Sequence, residues 1–210
     1  KIKKGDRIVL ELSSFELEGL TKSPNIAVIT NIIPDHLNRY ASMSDYIEAK
    51  KTIFKYQTKK DALVLNADDS IVRHFATEAN SKTYFYSLNN KPKNIDLSKF
   101  KLFGKHNLSN LLAAIKIAET IKISPKIIEK GIKSFKGVHS RQEFIKEVMG
   151  VKYFNDTTAT IPEAVIMAID SLSERFPLSK IFLICGGVYK GVDYKSLAEK
   201  IKEKSIELIM

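Results

Sequence analysis

Four short apolar runs constrain the fold of this chain more strongly than any other feature. They lie at residues 7–12, 26–30, 61–65 and 180–185. Their aliphatic side chains follow one another without alternating with polar ones, a pattern typical of parallel strands that helices cover on both faces. Segments with a helical period lie between the second, third and fourth runs, over about 43–57, 106–121 and from Ser124-Pro125 to about Phe135. This order predicts an α/β fold with a mostly parallel sheet.

The chain changes character after Gly137, where the helical pattern ends. The elements predicted beyond it are strands at 142–148 and 151–154, a helix from Pro162 capped by Thr160 and Glu163, a strand at 180–185 and a helix from Tyr194 capped by Asp193. Such an order begins a doubly wound domain. We therefore predict two domains, residues 1–138 and residues 139–210, the second of them Rossmann-like and truncated.

The net charge of +10 suits an anionic partner: nucleic acid, an acidic membrane surface or a phosphorylated small molecule. The lysines are scattered, however, and no block of five like charges or alternation of basic and aromatic residues occurs. No apolar run approaches 18 residues. We therefore expect a solvated basic surface and neither a nucleic-acid nor a membrane partner, although a basic nucleic-acid-binding protein stays open as an alternative.

The two ends of the chain predict a fragment of a longer protein. The sequence lacks an initiator methionine and stops within an apolar run that no turn follows. Its single cysteine, Cys185, lies in another apolar run, which is consistent with a reducing compartment.

Glu11 ends the first apolar run, and the hydroxyls of Ser13 and Ser14 follow it. An acid at the end of a buried strand needs a cation or hydrogen-bond donors. His36 follows the second run, so we expect it at the same edge of the sheet. A carboxylate and an imidazole there can hold Mg²⁺ or Mn²⁺. Two alternatives to a metal site stay open: Glu11 pairs with a surface lysine, and His36 is only hydrogen-bonded.

Lys50 has apolar neighbours one helical turn away in both directions: Tyr46, Ile47, Ile53 and Phe54. The spacing predicts that Lys50 lies on the buried stripe of its helix, unlike Lys51, which has Glu48 and Lys55 beside it. Burial lowers the pKa of a lysine and leaves an amine that can be covalently modified. A side chain that extends to the surface fits the same periodicity.

Asn107 and Asn110 share a face at the start of the helix predicted at 106–121. The free N–H groups of a helix start suit an anion or a polar heterocycle, whereas ordinary N-capping explains one asparagine but not both. Arg141 lies just after the predicted boundary between the two domains. Asp156 and Thr160 belong to a loop after a strand that can bind sugar hydroxyls or phosphate, or cap the next helix. The Gly-rich stretch 186–191 contains Lys190 and fits neither the Walker A nor the dinucleotide fingerprint.

Together these motifs resemble the Mur ligase family of ATP-dependent amide-forming enzymes. The stretches that carry the resemblance span most of the chain: Glu11 to Phe15, Asn31 to His36 with Arg39-Tyr40, Tyr46 with Ala49-Lys50, Gly104 to Asn107 with Asn110, Arg141 with Glu143, Asn155-Asp156 with Ala159-Thr160, and Gly186-Gly187 with Lys190-Gly191.

The resemblance implies an enzyme of peptidoglycan precursor synthesis that adds D-glutamate to UDP-N-acetylmuramoyl-L-alanine through an acyl phosphate. It implies ATP and Mg²⁺ as cofactors, small-molecule partners, a cytoplasmic location and a monomer. Residues 1–138 are then part of a central P-loop-type, ATP-binding domain, and residues 139–210 part of a C-terminal domain.

The resemblance also implies roles for individual residues. Glu11, His36 and Lys50 are the metal-site and catalytic residues, with Lys50 carbamylated so that its new carboxylate binds Mg²⁺. The residues expected to contact ATP are Asn107, Asn110, Arg141 and Asp156. Ser13 and Glu16 lie near the nucleotide sugar, and Thr160 and Lys190 near the incoming D-glutamate.

The chain also departs from the family pattern. The Gly-rich P-loop is absent from these 210 residues, so we expect no ATP hydrolysis from them alone. Four residues stand where the pattern has Gln, His, Lys and Asp: Glu16, Ser140, Thr158 and Val188. Another amide ligase of the superfamily, such as a folylpolyglutamate synthetase-like enzyme, and a degenerate paralogue without catalysis stay open.

Overall fold

A computed structural model describes residues 2–34, 39–188 and 192–209 of the chain. The chain divides into two compact units, residues 1–85 and residues 86–210. The domain boundary that we predicted near residue 138 falls within the second unit and stays a prediction.

Helices and strands alternate in the first unit. Its elements are α1 (Ser14–Glu18), β1 (Ile26–Ile29), α2 (Met43–Lys55), β2 (Ala62–Asn66), α3 (Ser70–His74), a 3₁₀ turn (Phe75–Thr77) and β3 (Lys82–Tyr86), whose last residue begins the second unit. The three strands form one sheet in the order β1-β2-β3, and β1 runs parallel to β2 with Ile26 opposite Ala62. The predicted parallel α/β arrangement is therefore confirmed.

The core of the first unit lies between the sheet and the helices that cover it. All five residues of β2 are buried, and Leu63 and Leu65 are fully inaccessible to solvent. Phe54 of α2 packs against Phe75 with ring centroids 5.7 Å apart. The continuous apolar pattern of β2 thus reflects a strand that is covered on both faces.

The strand predicted at residues 7–12 does not form. These residues have no regular secondary structure, and Val9 and Leu10 are 93% and 71% exposed. A strand needs a neighbour for its backbone hydrogen bonds and a layer to cover its side chains. In the part of the chain that the structure describes, no strand pairs with this segment, so its apolar composition produces neither burial nor a ladder. Glu11 consequently does not lie at a strand end.

The described residues of the second unit form helices and two small sheets. Its elements are α4 (Lys105–Thr120), α5 (Pro125–Ser134), β4 (Glu143–Val148), β5 (Val151–Asn155), α6 (Pro162–Arg175), β6 (Phe182–Ile184), α7 (Lys195–Glu203) and β7 (Glu207–Ile209). β4 and β5 form an antiparallel hairpin, and β6 and β7 pair in parallel.

Apolar side chains pack the helices of this unit against one another. Ile115 of α4 packs with Ile128 and Ile132 of α5, and Ile169 of α6 packs with Leu197 of α7. The start of α6 differs from our prediction, because Ile161 is its N-cap residue and neither Thr160 nor Glu163 caps it. Pro162 occupies the first helical position and has no N–H, so one of the four donors that lack a partner at a helix start is absent.

Within residues 2–34, 39–188 and 192–209, no helix has both the length and the apolar character that a bilayer crossing requires.

Candidate functional site

A cavity of about 500 Å³ lies between α4 and α5 in the second unit. Thirteen of its lining residues are apolar or glycine, including Leu111, Ile128 and Phe135. The remaining three are Asn107, Asn110 and Arg141. An apolar cavity with a few convergent polar groups is the usual form of a small-molecule site. Three of the four residues that the resemblance assigns to ATP therefore line one cavity.

Asn107 and Asn110 reach the cavity because they lie on one face of α4. The helix begins at Lys105, after Gly104, whose φ of 90° favours glycine. Among the described residues, no side chain caps this end. The amide of Asn107 donates instead to the backbone oxygen of Phe103 at 2.8 Å, which holds its side chain against the start of the helix. Neither asparagine is thus an N-cap, and the alternative of ordinary capping does not apply.

Arg141 reaches the cavity from a tight turn that precedes β4. Its neighbours Ser140 and Gln142 both have a positive φ, of 62° and 44°. The turn is tied to the loop after β5, since Thr158 donates to the backbone oxygen of Ser140 at 2.8 Å. Two positions that depart from the family pattern, Ser140 and Thr158, therefore contact each other.

Asp156 lies beside this turn, half-buried, and accepts a hydrogen bond from the backbone N–H of Gln142 at 3.1 Å. Burial raises the pKa of Asp156 above its ordinary value, and the Gln142 hydrogen bond and the charges of His106 and Arg141 act in the opposite direction. Burial lowers the pKa of His106, against the attraction of Asp156. The carboxylate, the imidazole and the guanidinium thus interact, although Asp156 does not line the cavity.

The residues predicted to bind metal belong to the first unit. Glu11 is exposed in the irregular segment before α1, and Lys50 is half-buried on α2. His36 lies outside the described residues. In the ranges that the structure covers, no three His, Cys, Asp or Glu side chains converge on a point that could hold a metal ion. The metal site stays a prediction.

The neighbours of Lys50 agree with the predicted buried stripe. Tyr46 and Phe54 are buried in the core of the unit, and Ile47 and Ile53 pack against it. The Nζ of Lys50 lies 5.3 Å from the centroid of the Tyr46 ring. An ammonium group in this position is attracted to the face of the ring, so the interaction would weaken if the amine lost its positive charge.

Lys51 differs from our prediction, because it is also largely covered, with 17% of its side chain exposed. Its Nζ lies 2.8 Å from a carboxylate oxygen of Glu48 and 2.8 Å from one of Glu78. Burial lowers the pKa of Lys51, but the hydrogen bonds to the two carboxylates outweigh it, so the pKa is raised. Lys51 therefore remains an ammonium ion.

Ser13 and Glu16 form a capping box at the start of α1. The Oγ of Ser13 accepts from the Glu16 N–H at 3.4 Å, and the Glu16 carboxylate accepts from the Ser13 N–H at 2.7 Å. The hydrogen bonds that Ser13 donates to this carboxylate lower the pKa of Glu16. The Ser-x-x-Glu spacing signals this motif in the sequence, whereas our prediction for the two residues is a role near the nucleotide sugar. That role stays a prediction.

Arg39 and Tyr40 hold α1 in place. Glu18 accepts from the Tyr40 hydroxyl at 2.6 Å and from the Arg39 guanidinium at 3.0 Å. Both hydrogen bonds lower the pKa of Glu18. The Phe15 and Tyr40 rings stack at 6.0 Å, and the Arg39 guanidinium lies 4.6 Å from the Phe15 centroid. A helix of five residues is not stable by itself, so these contacts position it.

Asn66 and Asp69 organise the end of the sheet, a structural role that we did not predict. Asn66 donates to the backbone oxygen of Thr30 at 2.9 Å. The Asp69 carboxylate accepts from the backbone N–H of Ile32 at 3.0 Å and from that of Val72 at 2.9 Å. The signal available in the sequence is the polar run that directly follows the buried strand β2. Together the two side chains fix the segment that follows β1.

Of the residues predicted near D-glutamate, Thr160 is exposed in the loop before α6. Lys190 lies outside the described residues. Neither role is tested, and both stay predictions.

Comparison with known proteins agrees with the resemblance. A sequence model of the Mur ligase middle domain matches residues 2–118. The chain is 37% identical to the UDP-N-acetylmuramoylalanine–D-glutamate ligase of Acetivibrio thermocellus, over 97% of this chain and 47% of the relative. It is 38% identical to the enzyme of that name from Clostridioides difficile, over 97% of this chain and 48% of the relative. The chain therefore spans about half the length of the curated relatives it matches.

Solved structures share the fold. The MurF ligase of Thermotoga maritima, determined in complex with ADP, superposes with a TM-score of 0.70 at 22% identity, over 85% of this chain and 47% of that one. A mutant of the L. casei FPGS superposes with a TM-score of 0.63 at 17% identity, over 87% of this chain and 49% of that one. The fold and the middle-domain match agree, and the chain belongs to the Mur ligase family.

Proposed function

We propose that this chain is part of an ATP-dependent ligase that adds D-glutamate to UDP-N-acetylmuramoyl-L-alanine in peptidoglycan precursor synthesis. Relatives that carry this name match nearly the whole chain at 36–38% identity. The structural observation that carries the proposal is the cavity between α4 and α5, whose polar lining is Asn107, Asn110 and Arg141.

The cavity suits the nucleotide of such a reaction. A base presents two apolar faces and a polar edge, which fits an apolar wall with two amides at one end. A guanidinium is a planar cation with several N–H donors, so Arg141 can pair with a phosphate oxygen. In this proposal Asn107 and Asn110 orient the base, Arg141 contacts a phosphate, and Asp156 accepts from a ribose hydroxyl.

The proposed chemistry proceeds in two steps. A carboxylate oxygen of UDP-N-acetylmuramoyl-L-alanine attacks the γ-phosphorus of ATP, and ADP leaves. The amine of D-glutamate then attacks the acyl carbon, loses a proton, and inorganic phosphate leaves as the amide forms. The chain's part in both steps is to position the reactants, because positioning and charge stabilisation account for most of the catalysis of phosphoryl transfer.

Glu11, His36 and Lys50 are the residues proposed to hold Mg²⁺. Lys50 would first react with CO₂, forming an N–C bond and releasing a proton, so that a carbamate oxygen becomes available. Carboxylate-type oxygens are the ligands that Mg²⁺ prefers, and the half-buried position of Lys50 favours a modified over a fully solvated amine. When bound, Mg²⁺ would neutralise phosphate charge and orient the reacting oxygens.

The remaining assignments complete the proposal. Ser13 and Glu16 lie near the nucleotide sugar, and Thr160 and Lys190 near D-glutamate. The enzyme acts as a monomer in the cytoplasm on small-molecule substrates.

An acceptor assay tests the function. The protein in its full natural length is incubated with ATP, Mg²⁺ and UDP-N-acetylmuramoyl-L-alanine, and phosphate release is measured with D-glutamate, with L-glutamate and with neither. We expect release that depends on D-glutamate. Release with L-glutamate and a folate acceptor instead would indicate a folylpolyglutamate synthetase-like enzyme.

A nucleic-acid-binding protein would behave differently in a binding assay. Its affinity for duplex DNA would fall steeply with salt and would need neither Mg²⁺ nor nucleotide. The scattered lysines favour the ligase, since several pair with neighbouring acids, as Lys51 and Lys200 do.

A further inference from the structure

The turn that carries Arg141 has an unusual backbone. Ser140 and Gln142, on either side of the arginine, adopt φ values of 62° and 44°. A side chain with a Cβ is disfavoured in this left-handed region by about 1–2 kcal/mol. Residues held in such conformations persist where the surrounding structure over-determines them, and they cluster at functional sites.

Hydrogen bonds hold the Ser140 side of the turn. The backbone N–H of Ser140 donates to the Glu143 carboxylate at 2.9 Å, and the backbone oxygen of Ser140 accepts from the Thr158 hydroxyl at 2.8 Å. Asn155 donates to the Ser140 hydroxyl at 3.3 Å. One end of the turn is thereby attached to the loop after β5.

Gln142 holds the other side. Its backbone N–H donates to Asp156 at 3.1 Å, and its side-chain Nε2 lies 3.0 Å from the Oγ of Ser171 on α6. Ser171 is buried and also donates to the backbone oxygen of Ala168 at 2.9 Å. A single residue thus connects the turn to the β5 loop and to α6.

The start of α4 meets the same point on α6. A Cβ at Gly104 would lie 2.6 Å from the Cβ of Ser171 and 2.8 Å from the ring of His106. Only glycine fits there without displacing a neighbour. Ser171 therefore contacts both the turn that carries Arg141 and the end of the helix that carries Asn107 and Asn110.

We propose that Gln142 is a positioning residue: its hydrogen bonds to Asp156 and Ser171 hold Arg141 in the cavity in register with the two asparagines of α4. The inference rests on the proposed nucleotide site and adds to it the residue that determines its geometry. Gln142 does not line the cavity, so it acts through Arg141 and not through contact with a ligand.

The test separates affinity from stability. Gln142→Gly removes the side-chain hydrogen bond but relieves the left-handed backbone, so the thermal midpoint should stay near that of the wild type. The dissociation constant for ADP, measured by calorimetry, should rise by roughly tenfold, the effect of misplacing one hydrogen bond to a charged group. Met149→Gly is the matched control, because Met149 has a φ of 50° and is 98% exposed in the β4–β5 turn. It should keep the wild-type affinity.

A double-mutant cycle tests whether Gln142 acts through Arg141. In an Arg141→Ala background, Gln142→Gly should cause no further loss of ADP affinity, and Ser171→Ala should weaken binding only when Arg141 is present. Equal ADP affinity of Gln142→Gly and wild type, or a further loss in the Arg141→Ala background, would overturn the positioning role. If the wild-type chain does not bind ADP at all, the proposed nucleotide site itself fails.

Discussion

The carboxylate of Asp156 is half-buried in the candidate site, where burial disfavours its charged form. Its half-buried carboxyl has a raised pKa because of desolvation, despite the Gln142 hydrogen bond and the nearby His106 and Arg141. A group with a raised folded-state pKa stabilises the protein below its unfolded pKa, and this contribution is lost as the pH rises through the folded value. At neutral pH the ionised Asp156 is therefore a cost to stability.

Asp156→Asn should consequently be more stable than the wild type at pH 7, since the amide stays neutral and its oxygen still accepts from Gln142. The difference should shrink on acidification and disappear below about pH 3, where the wild-type carboxyl is largely protonated in both the folded and the unfolded state. Urea denaturation at the two pH values measures this.

Asp61→Asn is a control of opposite sign. Hydrogen bonds to Thr58 and Asn25 lower the pKa of Asp61, so the stabilising contribution is present at neutral pH and is lost on acidification. This substitution should destabilise at pH 7. A less stable Asp156→Asn at pH 7 would contradict the account of Asp156.

Single residues were predicted well where the information is local and poorly where it is not. The four neighbours of Lys50 lie within one helical turn of it, so their contacts could be predicted from the sequence spacing alone. The second carboxylate of Lys51 comes from Glu78, 27 residues away, and no local pattern could indicate it.

At the scale of elements, α1 depends on its cap and on the contacts of Arg39 and Tyr40. Ser13→Ala removes the side-chain acceptor of the capping box and should lower the free energy of unfolding by about 1 kcal/mol. Glu16→Gln should retain the box, because glutamine can fill the same position. Thermal denaturation compares the variants, and an unchanged midpoint for Ser13→Ala would show that the cap does not stabilise the protein.

The helix α5 offers a matched pair of isoleucines. Ile132 is 4% exposed in the cluster with Ile115, and Ile127 is 61% exposed. Ile132→Ala should lower the free energy of unfolding by about 2–5 kcal/mol, through lost burial and the space left behind. Ile127→Ala should change it by less than about 0.5 kcal/mol. Equal losses in urea denaturation would mean that α5 packs differently.

Most helices and strands followed from the sequence pattern, whereas the strand predicted at residues 7–12 does not form, for a physical reason. Apolar composition measures a tendency toward burial, but a strand also needs a partner. Val9 and Leu10 have the composition, but no described strand pairs with them, and they are exposed.

For the whole molecule, the family and three cavity residues were accessible from the sequence. The motifs pointed to Asn107, Asn110 and Arg141, but they did not indicate that twelve apolar side chains line the cavity these three residues share. That enclosure depends on how α4 packs against α5. The contact between Gln142 and Ser171 was hidden for the same reason, because the two residues are 29 positions apart.

The 210 residues should not hydrolyse ATP by themselves. The Gly-rich loop that grips phosphates in the family is absent from this sequence, and nothing in it has the Walker A spacing. Phosphate release from ATP and Mg²⁺ measures this. Mg²⁺-dependent release above that of an Arg141→Ala control would contradict it.

A crystal structure of this chain with bound ADP tests the proposed nucleotide site most directly. We expect the base between α4 and α5, with Asn107 and Asn110 at its polar edge and Arg141 at a phosphate. A nucleotide bound elsewhere, with the cavity empty, would show that the cavity is not the nucleotide site.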